Sequence, residues 1–477
     1  MKRTKIVCTI GPASDKKAVL KKLIQNGMNV ARLNFSHNVH AYHLKAIKSI
    51  RALSKEMKQP IAIVQDLQGP RIRLGDLPEK GIQIKKGQDI ILTTSTKKSV
   101  KKISVTYEKM HEDVEVGQRI LLVDGLIELK VTKVSGNDIY CHVVTGGLLN
   151  SHKGINLPDT NVSIASILEK DEKDLFFGVK NGVDFVALSF VRSAKEVYDL
   201  KYLIKKYKQK LKIKNNAEIK VIVKIERREA VENIDEIIEA TDAVMVARGD
   251  LGIELPPEDV PLIQKMIIDK CLDSAKPVIV ATQMMESMIV NTRPTRAEVS
   301  DVANAVIDHT DAVMLSGETA SGKYPSETVA MMSKIVQKTE KSTYDDLVLK
   351  EKVKKIVPTS EAISAVAKML ADNLDVELIL AASLSGDSGR IVSRYRPEKP
   401  IFVATDSQKI QNQLSLSWGI MPFILPKCDY LEELIDHSIG YLKKHNYLKK
   451  EDKMIIIAGE PVGKSGNVNL VEIKTIT

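Results

Sequence analysis

Three charged residues have the types and spacing of a metal-assisted phosphate site. Lys224 and Glu226 are two residues apart in an apolar run, so in a strand both side chains would point to the same face. Asp250 follows the next apolar run, and carboxylates on adjacent strands suit a hard cation that leaves its other positions to water and substrate phosphate. Lys224 and Glu226 alone are equally well explained as a structural salt bridge. The addition of Asp250 favours metal-dependent phosphate chemistry.

Other polar residues also follow predicted strands, and several polar groups that converge on one rim seldom serve packing alone. Gly249 and Gly252 are predicted to precede a helix that starts near 256–259, so that backbone amides would approach an anionic substrate. Ser316 and Glu318 would alternatively cap a helix, and His37 would alternatively be a surface or capping residue. The strand-end residues are Arg32, Asn34, Ser36 and His37 (second strand), Asp66 (third), Lys224 and Glu226 (fifth), Gly249 and Asp250 (sixth), Thr282 (seventh), and Ser316 and Glu318 (eighth).

Eight short apolar runs, each followed by a helical pattern, must position these residues. Such runs are typical of a parallel sheet built from βα units. Eight units favour an α/β fold of the (β/α)8 TIM barrel type over an open doubly wound sheet, and active sites in this barrel lie at the carboxyl ends of the strands. The runs are 5–10, 29–33, 61–65, 185–189, 221–225, 243–247, 277–281 and 312–315.

Two further regions depart from this rhythm. Residues 68–161 alternate polar and apolar residues between frequent turn signals, which predicts a small all-β domain inserted after the third strand as a lid. After residue 340 a helix over 362–370 and strands at 378–381, 400–404, 421–425, 454–458 and 470–476 predict a separate α/β domain. The expected domains are therefore the barrel at 1–67 and 162–340, the lid at 68–161 and a C-terminal regulatory domain at 341–477.

The amino-acid composition limits the classes of partner that we expect. The net charge is +10, but the basic residues are dispersed and aromatics are only 4%, so we expect small anionic substrates and no nucleic acid. No apolar run approaches the roughly 20 residues of a membrane-spanning helix, so we expect no membrane partner. The four cysteines lack Cys-x-x-Cys spacing and indicate reduced thiols in a cytoplasmic protein.

The sequence resembles the pyruvate kinase family over nearly its whole length. The segments that carry the resemblance are KIVCTIGPAS at 5–14, MNVARLNFSH at 28–37, VKIE at 223–226, MVARGDLG at 245–252, ATQMMESM at 281–288, PTRAEVSDVAN at 294–304 and MLSGETA at 314–320. The resemblance implies transfer of phosphoryl from phosphoenolpyruvate to ADP, giving pyruvate and ATP in the last step of glycolysis. Because 29–37 and 294–304 are similar to family regions near subunit contacts, it also implies a homotetramer.

The same resemblance implies a role for each strand-end residue. Glu226 and Asp250 would hold Mg2+ or Mn2+, while Lys224 would stabilise charge on the transferred phosphoryl group. The Gly249 amide, Asp250 and Thr282 would hold the enolpyruvate, and Arg32 would reach its phosphate. Asn34, His37, Arg73 and Lys153 would contact the nucleotide; Ser316 and Glu318 would help deliver a proton to the enolate carbon, with the final acid left open.

Arg71 is the first departure from the family pattern. Many members bind K+ through residues matching Asn34, Ser36, Asp66 and the carbonyl of Leu67, and those members carry glutamate where this chain has Arg71. A fixed guanidinium there would replace the monovalent cation. We therefore predict that K+ is not required.

The second departure is Asp387, in the SLSGDSGR segment at 383–390. Family members bind a phosphorylated effector at this loop, here matched by Ser383, Ser385, Gly386, Ser388 and Gly389. Asp387 stands where a basic residue is common, which argues against fructose bisphosphate and leaves a sugar monophosphate or AMP as the expected effector.

Two other functions fit the sequence less well. A different metal-dependent barrel, such as an aldolase or phosphonomutase acting on pyruvate or oxaloacetate, would lack both the β insert and the C-terminal domain. A catalytically silent sensor of sugar phosphates would not need Lys224, Glu226, Asp250 and Thr282 together.

Overall fold

A closed barrel of eight parallel strands forms the centre of the chain, in the order 1-8-7-6-5-4-3-2. The computed structural model describes residues 2–95, 102–213, 217–347, 356–382, 386–428, 430–459 and 468–477. The barrel strands are Lys5–Thr9, Val30–Asn34, Ala62–Asp66, Phe185–Leu188, Lys220–Ile225, Ala243–Ala247, Val278–Ala281 and Ala312–Leu315. They confirm the eight predicted strands, whose ends differ from the apolar runs by at most one residue.

The apolar residues of each strand divide between two cores because successive side chains point to opposite faces. In the first strand, Ile6 and Cys8 pack beneath the surrounding helices, whereas Val7 joins the cluster that fills the barrel interior. Leu416, from the C-terminal domain, belongs to that interior cluster as well. The surrounding helices are Lys17–Gln25, His40–Met57, Glu169–Lys180, Ala194–Lys210, Arg228–Glu232, Ile234–Ala240, Arg248–Glu254, Val260–Asp273, Arg296–Ile307, Gly317–Ala320 and Pro325–Thr339, with 3-10 turns at Glu286–Ile289 and Thr343–Asp345.

The segment inserted after the third barrel strand is a β domain, as predicted. It has its own apolar core, and the helix described within it is the single turn Met110–Asp113. Its Asn156 side chain donates a hydrogen bond to Glu254 Oε1 (3.2 Å), which joins it to a barrel helix at the catalytic rim. One sheet has the order Ile155–Asn156, Arg119–Leu122, Ile127–Ser135, Asp138–Thr145, Asp89–Thr93, Ile103–Ser104, and a second pairs Gly147–Leu149 with Ile82–Ile84.

The C-terminal domain has a five-stranded sheet with helices, which confirms the predicted α/β class. Four strands are parallel and the last, at the edge, is antiparallel. The strand order is Ile420–Ile424, Ile401–Thr405, Leu378–Ala382, Lys453–Ala458, Leu470–Thr475. The helices are Thr359–Asn373, Asp387–Ser393, Gln408–Leu414 and Leu431–Lys444.

A buried ion pair joins the C-terminal domain to the barrel. Arg396 Nη2 lies 3.0 Å from Asp311 Oδ2, and the Trp418 amide donates to Asp311 Oδ1 (3.0 Å). Asp311 immediately precedes the eighth barrel strand, so this contact lies at the end of the barrel opposite the strand carboxyl ends. A buried pair of this kind is costly to break from one side because the other charge remains buried.

One helix was not predicted. Gly249 and Gly252 lie inside the short helix Arg248–Glu254, which follows the sixth strand directly, and the helix expected near 256–259 begins at Val260. The four cysteines are buried and no disulfide joins them, in agreement with the predicted reduced thiols. Within the described ranges no helix has the length and apolar character needed to cross a membrane.

Candidate active site

Lys224 lies at the centre of a compact charged cluster at the carboxyl end of the fifth barrel strand. Its Nζ is 2.7 Å from Glu226 Oε1 and 3.7 Å from Asp66 Oδ1, and it donates a hydrogen bond to Ser189 Oγ (2.9 Å). Asp66 Oδ2 in turn accepts from Arg32 Nε at 2.6 Å. Four charged side chains from three strands therefore meet within one network.

The opposite charges favour the ionised forms of Lys224 and Asp66. Burial alone would lower the pKa of Lys224, but Asp66 and Glu226 outweigh it and raise that pKa above its usual value. Burial would likewise raise the pKa of Asp66, yet Lys224 and Arg32 hold it below its usual range. Lys224 is thus a buried amine whose surroundings favour its charged form, and only 12% of its side chain is exposed. Such a group can neutralise a phosphoryl group without reorganising.

Glu226 has the features of a cation ligand. Burial, reinforced by the nearby Asp250 carboxylate, raises the pKa of Glu226 to about 7. The Phe190 amide donates to its Oε2 (2.7 Å), whereas buried Oε1 has an ion pair with Lys224 but no hydrogen bond of regular geometry. A divalent cation at Oε1 would supply the missing partner and offset the repulsion between the two carboxylates, so these residues fit the metal that the sequence predicted.

Asp250 is brought to the site by the first turn of the helix Arg248–Glu254. Its Oδ1 lies 3.8 Å from Arg71 Nη2, and both side chains are partly exposed. The prediction placed Arg71 at the monovalent site of Asn34, Ser36, Asp66 and Leu67. In the described part of the chain, the ion pair of Arg71 is instead with a predicted ligand of the divalent metal.

The four residues of the predicted monovalent site are already engaged with one another and with neighbours. The Asn34 side-chain oxygen accepts from the Ser36 amide (3.0 Å), and the Leu67 carbonyl accepts from Ser189 Oγ (2.8 Å). Asp66 is paired with Arg32 and Lys224. That a fixed cation of the protein takes the place of K+ stays a prediction.

Thr282 closes the other side of the site with a strained backbone. Its φ is +70°, which a β-branched residue rarely adopts. Its hydroxyl donates to the Ala281 carbonyl (2.6 Å) and accepts from the Gly249 amide (2.8 Å). A Cβ at Gly249 would lie 3.5 Å from Thr282 Oγ1, an ordinary contact, so packing within the chain does not require glycine there. Close approach of a ligand to the backbone at Gly249 would require it.

The two residues predicted for proton delivery follow the eighth strand, Ser316 directly after it and Glu318 in the one-turn helix Gly317–Ala320. Glu318 is 2% exposed and accepts from the amides of Met285 (3.1 Å) and Ser316 (2.7 Å). Burial raises its pKa. Ser316 is partly exposed and its side chain makes no capping hydrogen bond. Glu318 thus organises two loops at the rim, and its role in proton delivery stays a prediction.

The predicted nucleotide residues lie at the rim toward the lid. His37 is exposed, and partial burial together with Arg73, Arg71 and Arg32 lowers its pKa. The three guanidinium groups therefore lie near this imidazole and favour its neutral form. Arg73 Nη1 donates to the His152 carbonyl (3.1 Å), next to the exposed Lys153. The basic residues from the barrel and the lid thus form a surface suited to an anionic ligand.

The effector loop is described only in part, because Ser383 and Ser385 lie outside the described residues. Gly386 has φ +78° and precedes the short helix Asp387–Ser393, which contains Ser388 and Gly389. Asp387 forms an ion pair with Arg390. The repulsion between Asp387 and phosphate is therefore weaker than the sequence alone indicated.

Sequence reasoning missed four residues that hold the site in place. Ser189 links Lys224 to Leu67, and Thr9 accepts from Arg32 Nη1 (2.8 Å). Arg248 binds Asp301 through two nitrogens (2.6 and 2.7 Å) and also donates to the Thr282 carbonyl (2.7 Å). Ser189, Thr9 and Arg248 follow or end strands, and this position is the feature of the sequence that could have identified them. Asp301 lies on a helix, and no feature of the sequence marks it as a site residue.

Comparison with known proteins agrees with this geometry. The profile "Pyruvate kinase, barrel domain" matches residues 1–329, and "Pyruvate kinase, alpha/beta domain" matches residues 361–474. The chain is 44% identical over its full length to a pyruvate kinase of Sporosarcina psychrophila, of which it covers 81%, and 40% identical to one of Clostridium acetobutylicum, of which it covers 100%.

Among solved structures, a pyruvate kinase from Cryptosporidium parvum superimposes with a TM-score of 0.91 at 35% identity, covering 100% of this chain and 96% of that one. The chain belongs to the pyruvate kinase family.

Proposed function

We propose that Lys224, Arg32, Glu226, Asp250 and Thr282 carry the family reaction, the transfer of phosphoryl from phosphoenolpyruvate to ADP. The observation that supports this most directly is the buried ammonium of Lys224, held between Asp66 and Glu226 and oriented by Ser189. Phosphoryl transfer depends chiefly on positioning and charge stabilisation. A fixed amine in a water-poor site meets that requirement.

Glu226 and Asp250 would hold the divalent metal on which the family depends, and we propose Mg2+ or Mn2+ because both ligands are oxygens. When bound, the metal supplies charge neutralisation at the enolate and phosphoryl oxygens. Arg32, fixed by Asp66 and Thr9, would bind the phosphate; Thr282 and the Gly249 amide would hold the enolpyruvate. Ser316 and Glu318 would shape the path of the proton to the enolate carbon.

Arg71 supports the proposal that this enzyme does not require K+. The guanidinium lies beside Asp250, at the rim where the nucleotide phosphates would arrive, and Arg73 and His37 are close by. A protein cation here supplies positive charge that dissociation cannot remove. Asn34, His37, Arg73 and Lys153 would complete the nucleotide site.

The remaining proposals concern assembly and control. We propose domain boundaries after residues 67, 161 and 340. We also propose a homotetramer, by similarity of 29–37 and 294–304 to family contact regions, and a cytoplasmic location.

For the C-terminal loop we propose a sugar monophosphate or AMP effector. Activation by either at low phosphoenolpyruvate, with no response to fructose bisphosphate, is the expected outcome; strong fructose bisphosphate activation would oppose it.

Metal titration of two glutamine variants tests the catalytic proposal. Glu226→Gln should lower pyruvate formation from phosphoenolpyruvate and ADP by about a hundredfold or more and weaken the response to Mg2+. Glu254→Gln is the matched control, since Glu254 is also buried at this rim but contacts the lid through Asn156. Equal activity of both variants at every Mg2+ concentration would refute the assignment.

A further inference from the structure

Three residues of the C-terminal domain, Cys428, Glu433 and His437, form a cluster that phosphoryl transfer does not use. One ligand atom from each (a sulfur, a carboxylate oxygen and an imidazole nitrogen) lies within 4.8 Å of the others. Glu433 and His437 are four residues apart on the helix Leu431–Lys444, so they share one face. Cys428 lies three residues before that helix. The cluster is therefore built from one short stretch of the sequence.

The spacing of the sulfur and the imidazole fits a tetrahedral cation. Cys428 Sγ lies 3.5 Å from His437 Nδ1. Zinc bonds sulfur at about 2.3 Å and imidazole nitrogen at about 2.0–2.1 Å, and at a tetrahedral angle these two ligand atoms are then about 3.5 Å apart. The two atoms thus already have the separation that such an ion would impose.

The cluster is accessible from solvent. Glu433 and His437 are exposed, whereas Cys428 is 2% exposed and its thiol points toward the Pro426 carbonyl at 3.4 Å. The Glu433 carboxylate oxygen already lies within 4.8 Å of the other two ligand atoms, and water would complete the coordination.

We propose that Cys428, Glu433 and His437 form a binding site for a thiophilic divalent cation of the zinc type. Binding forms one bond each to sulfur, nitrogen and oxygen and releases the thiol proton to solvent. The site lies beyond the carboxyl end of the strand Ile420–Ile424, in the C-terminal domain, whereas Glu226 and Asp250 are in the barrel. It would therefore be occupied independently of the catalytic metal.

Cobalt absorption separates this site from the catalytic carboxylates. The full-length enzyme is freed of metal with a chelator and titrated with Co2+, since a thiolate ligand gives a charge-transfer band in the near ultraviolet that oxygen ligands do not give. One Co2+ per chain should produce the band, and added Zn2+ should abolish it. Affinity should increase with pH because the thiol and the imidazole must lose protons.

Matched variants decide whether these residues are the ligands. His437→Ala and Glu433→Gln should each weaken Co2+ binding at least about tenfold, since loss of even an outer-shell partner costs 10- to 100-fold. His445→Ala, at the C-cap of the same helix, and Cys141→Ser, a buried thiol of the lid, should leave it unchanged. Cys428→Ser should remove the band.

The surface variants keep the test valid if Cys428→Ser unfolds. The proposal is overturned if the wild-type protein gives no thiolate band, or if His445→Ala weakens binding as much as His437→Ala. It is also overturned if Zn2+ raises the unfolding temperature of His437→Ala as much as that of the wild type.

Discussion

Replacement of Arg71 should give the enzyme a larger K+ response than the wild type, for which we propose no K+ requirement. In the wild type, Arg71 Nη2 lies 3.8 Å from Asp250 Oδ1, so a protein cation lies next to a predicted metal ligand. Arg71→Gln removes that charge and Arg71→Glu inverts it. We expect both variants to lose activity in a tetraalkylammonium buffer and to recover much of it on addition of K+, with the larger response in Arg71→Glu.

The expected change in binding free energy follows from the distance between Arg71 and Asp250 and from their exposure. Two unit charges about 4 Å apart interact by about 1 kcal/mol in water and by about 4 kcal/mol at an effective dielectric constant near 20. Because 38% of the Arg71 side chain and 26% of the Asp250 side chain are exposed, the lower figure applies. A change of about 1 kcal/mol is roughly fivefold in a binding constant, and inversion of the charge doubles the free-energy change.

The positive charge of Arg71 is expected to weaken binding of the divalent metal at Asp250. Loss of a neighbouring cation should tighten Mn2+ binding to the substrate-free enzyme, by roughly fivefold in Arg71→Gln. Initial rates with and without K+, together with Mn2+ titration, measure both effects. Arg119→Gln is the control, because it breaks the Arg119–Asp159 ion pair of the lid, away from the site. A strongly K+-activated wild type, or weaker Mn2+ binding by Arg71→Gln, would refute the reasoning.

Three further predictions concern the rim and the contact between domains. Thr282→Ser keeps the hydroxyl that accepts from Gly249 and should retain most of kcat, whereas Thr282→Val should lose about 10- to 100-fold; steady-state kinetics that fail to separate the two variants would contradict this. Asp311→Asn should lower the free energy of unfolding by about 3–5 kcal/mol because Arg396 stays buried without its counterion, while the exposed Glu56→Gln should leave the unfolding curve in place. Burial, together with Arg396, lowers the pKa of His309 to about 4, so the unfolded chain takes up the proton first as the pH falls from about 6.5 to about 4, and stability decreases across that window. His309→Asn, which tolerates the local φ of +65°, should lose less stability over the same window in urea titrations, and an equal loss in both proteins would assign the effect to other groups.

Much of the fold could be predicted because apolar runs report burial directly. Six of the eight barrel strands are buried along their whole length, so their sequences stand out from the helices between them. The helix Arg248–Glu254 was missed because Gly249 and Gly252 disfavour helices and Pro256 with Pro257 resembled a helix start. Its position follows from contacts with the seventh strand, which local sequence does not encode.

The site was predictable only to the level of residue types. Lys224 and Glu226 could be paired because two strand positions separated by one residue face the same way. The partners of Arg71 and Asp387 could not be identified, since Asp250 comes from a distant segment and the Asp387–Arg390 pair depends on a helix register. Ser189 and Thr9 carry no charge, and a single hydroxyl at the end of a strand resembles many others.

The buried charge of Lys224 is the central claim, and single-turnover pyruvate formation by two glutamine variants tests it most directly. Lys224→Gln removes the ammonium between Asp66 and Glu226, whereas Lys220→Gln removes one from the opposite end of the same strand, where Lys220 pairs with Asp242. Loss of one preorganised charge-stabilising group typically costs about 10²- to 10³-fold in rate, and we predict that loss for Lys224→Gln and a near wild-type rate for Lys220→Gln. A folded Lys224→Gln enzyme that turns over within about tenfold of the wild type would contradict the account.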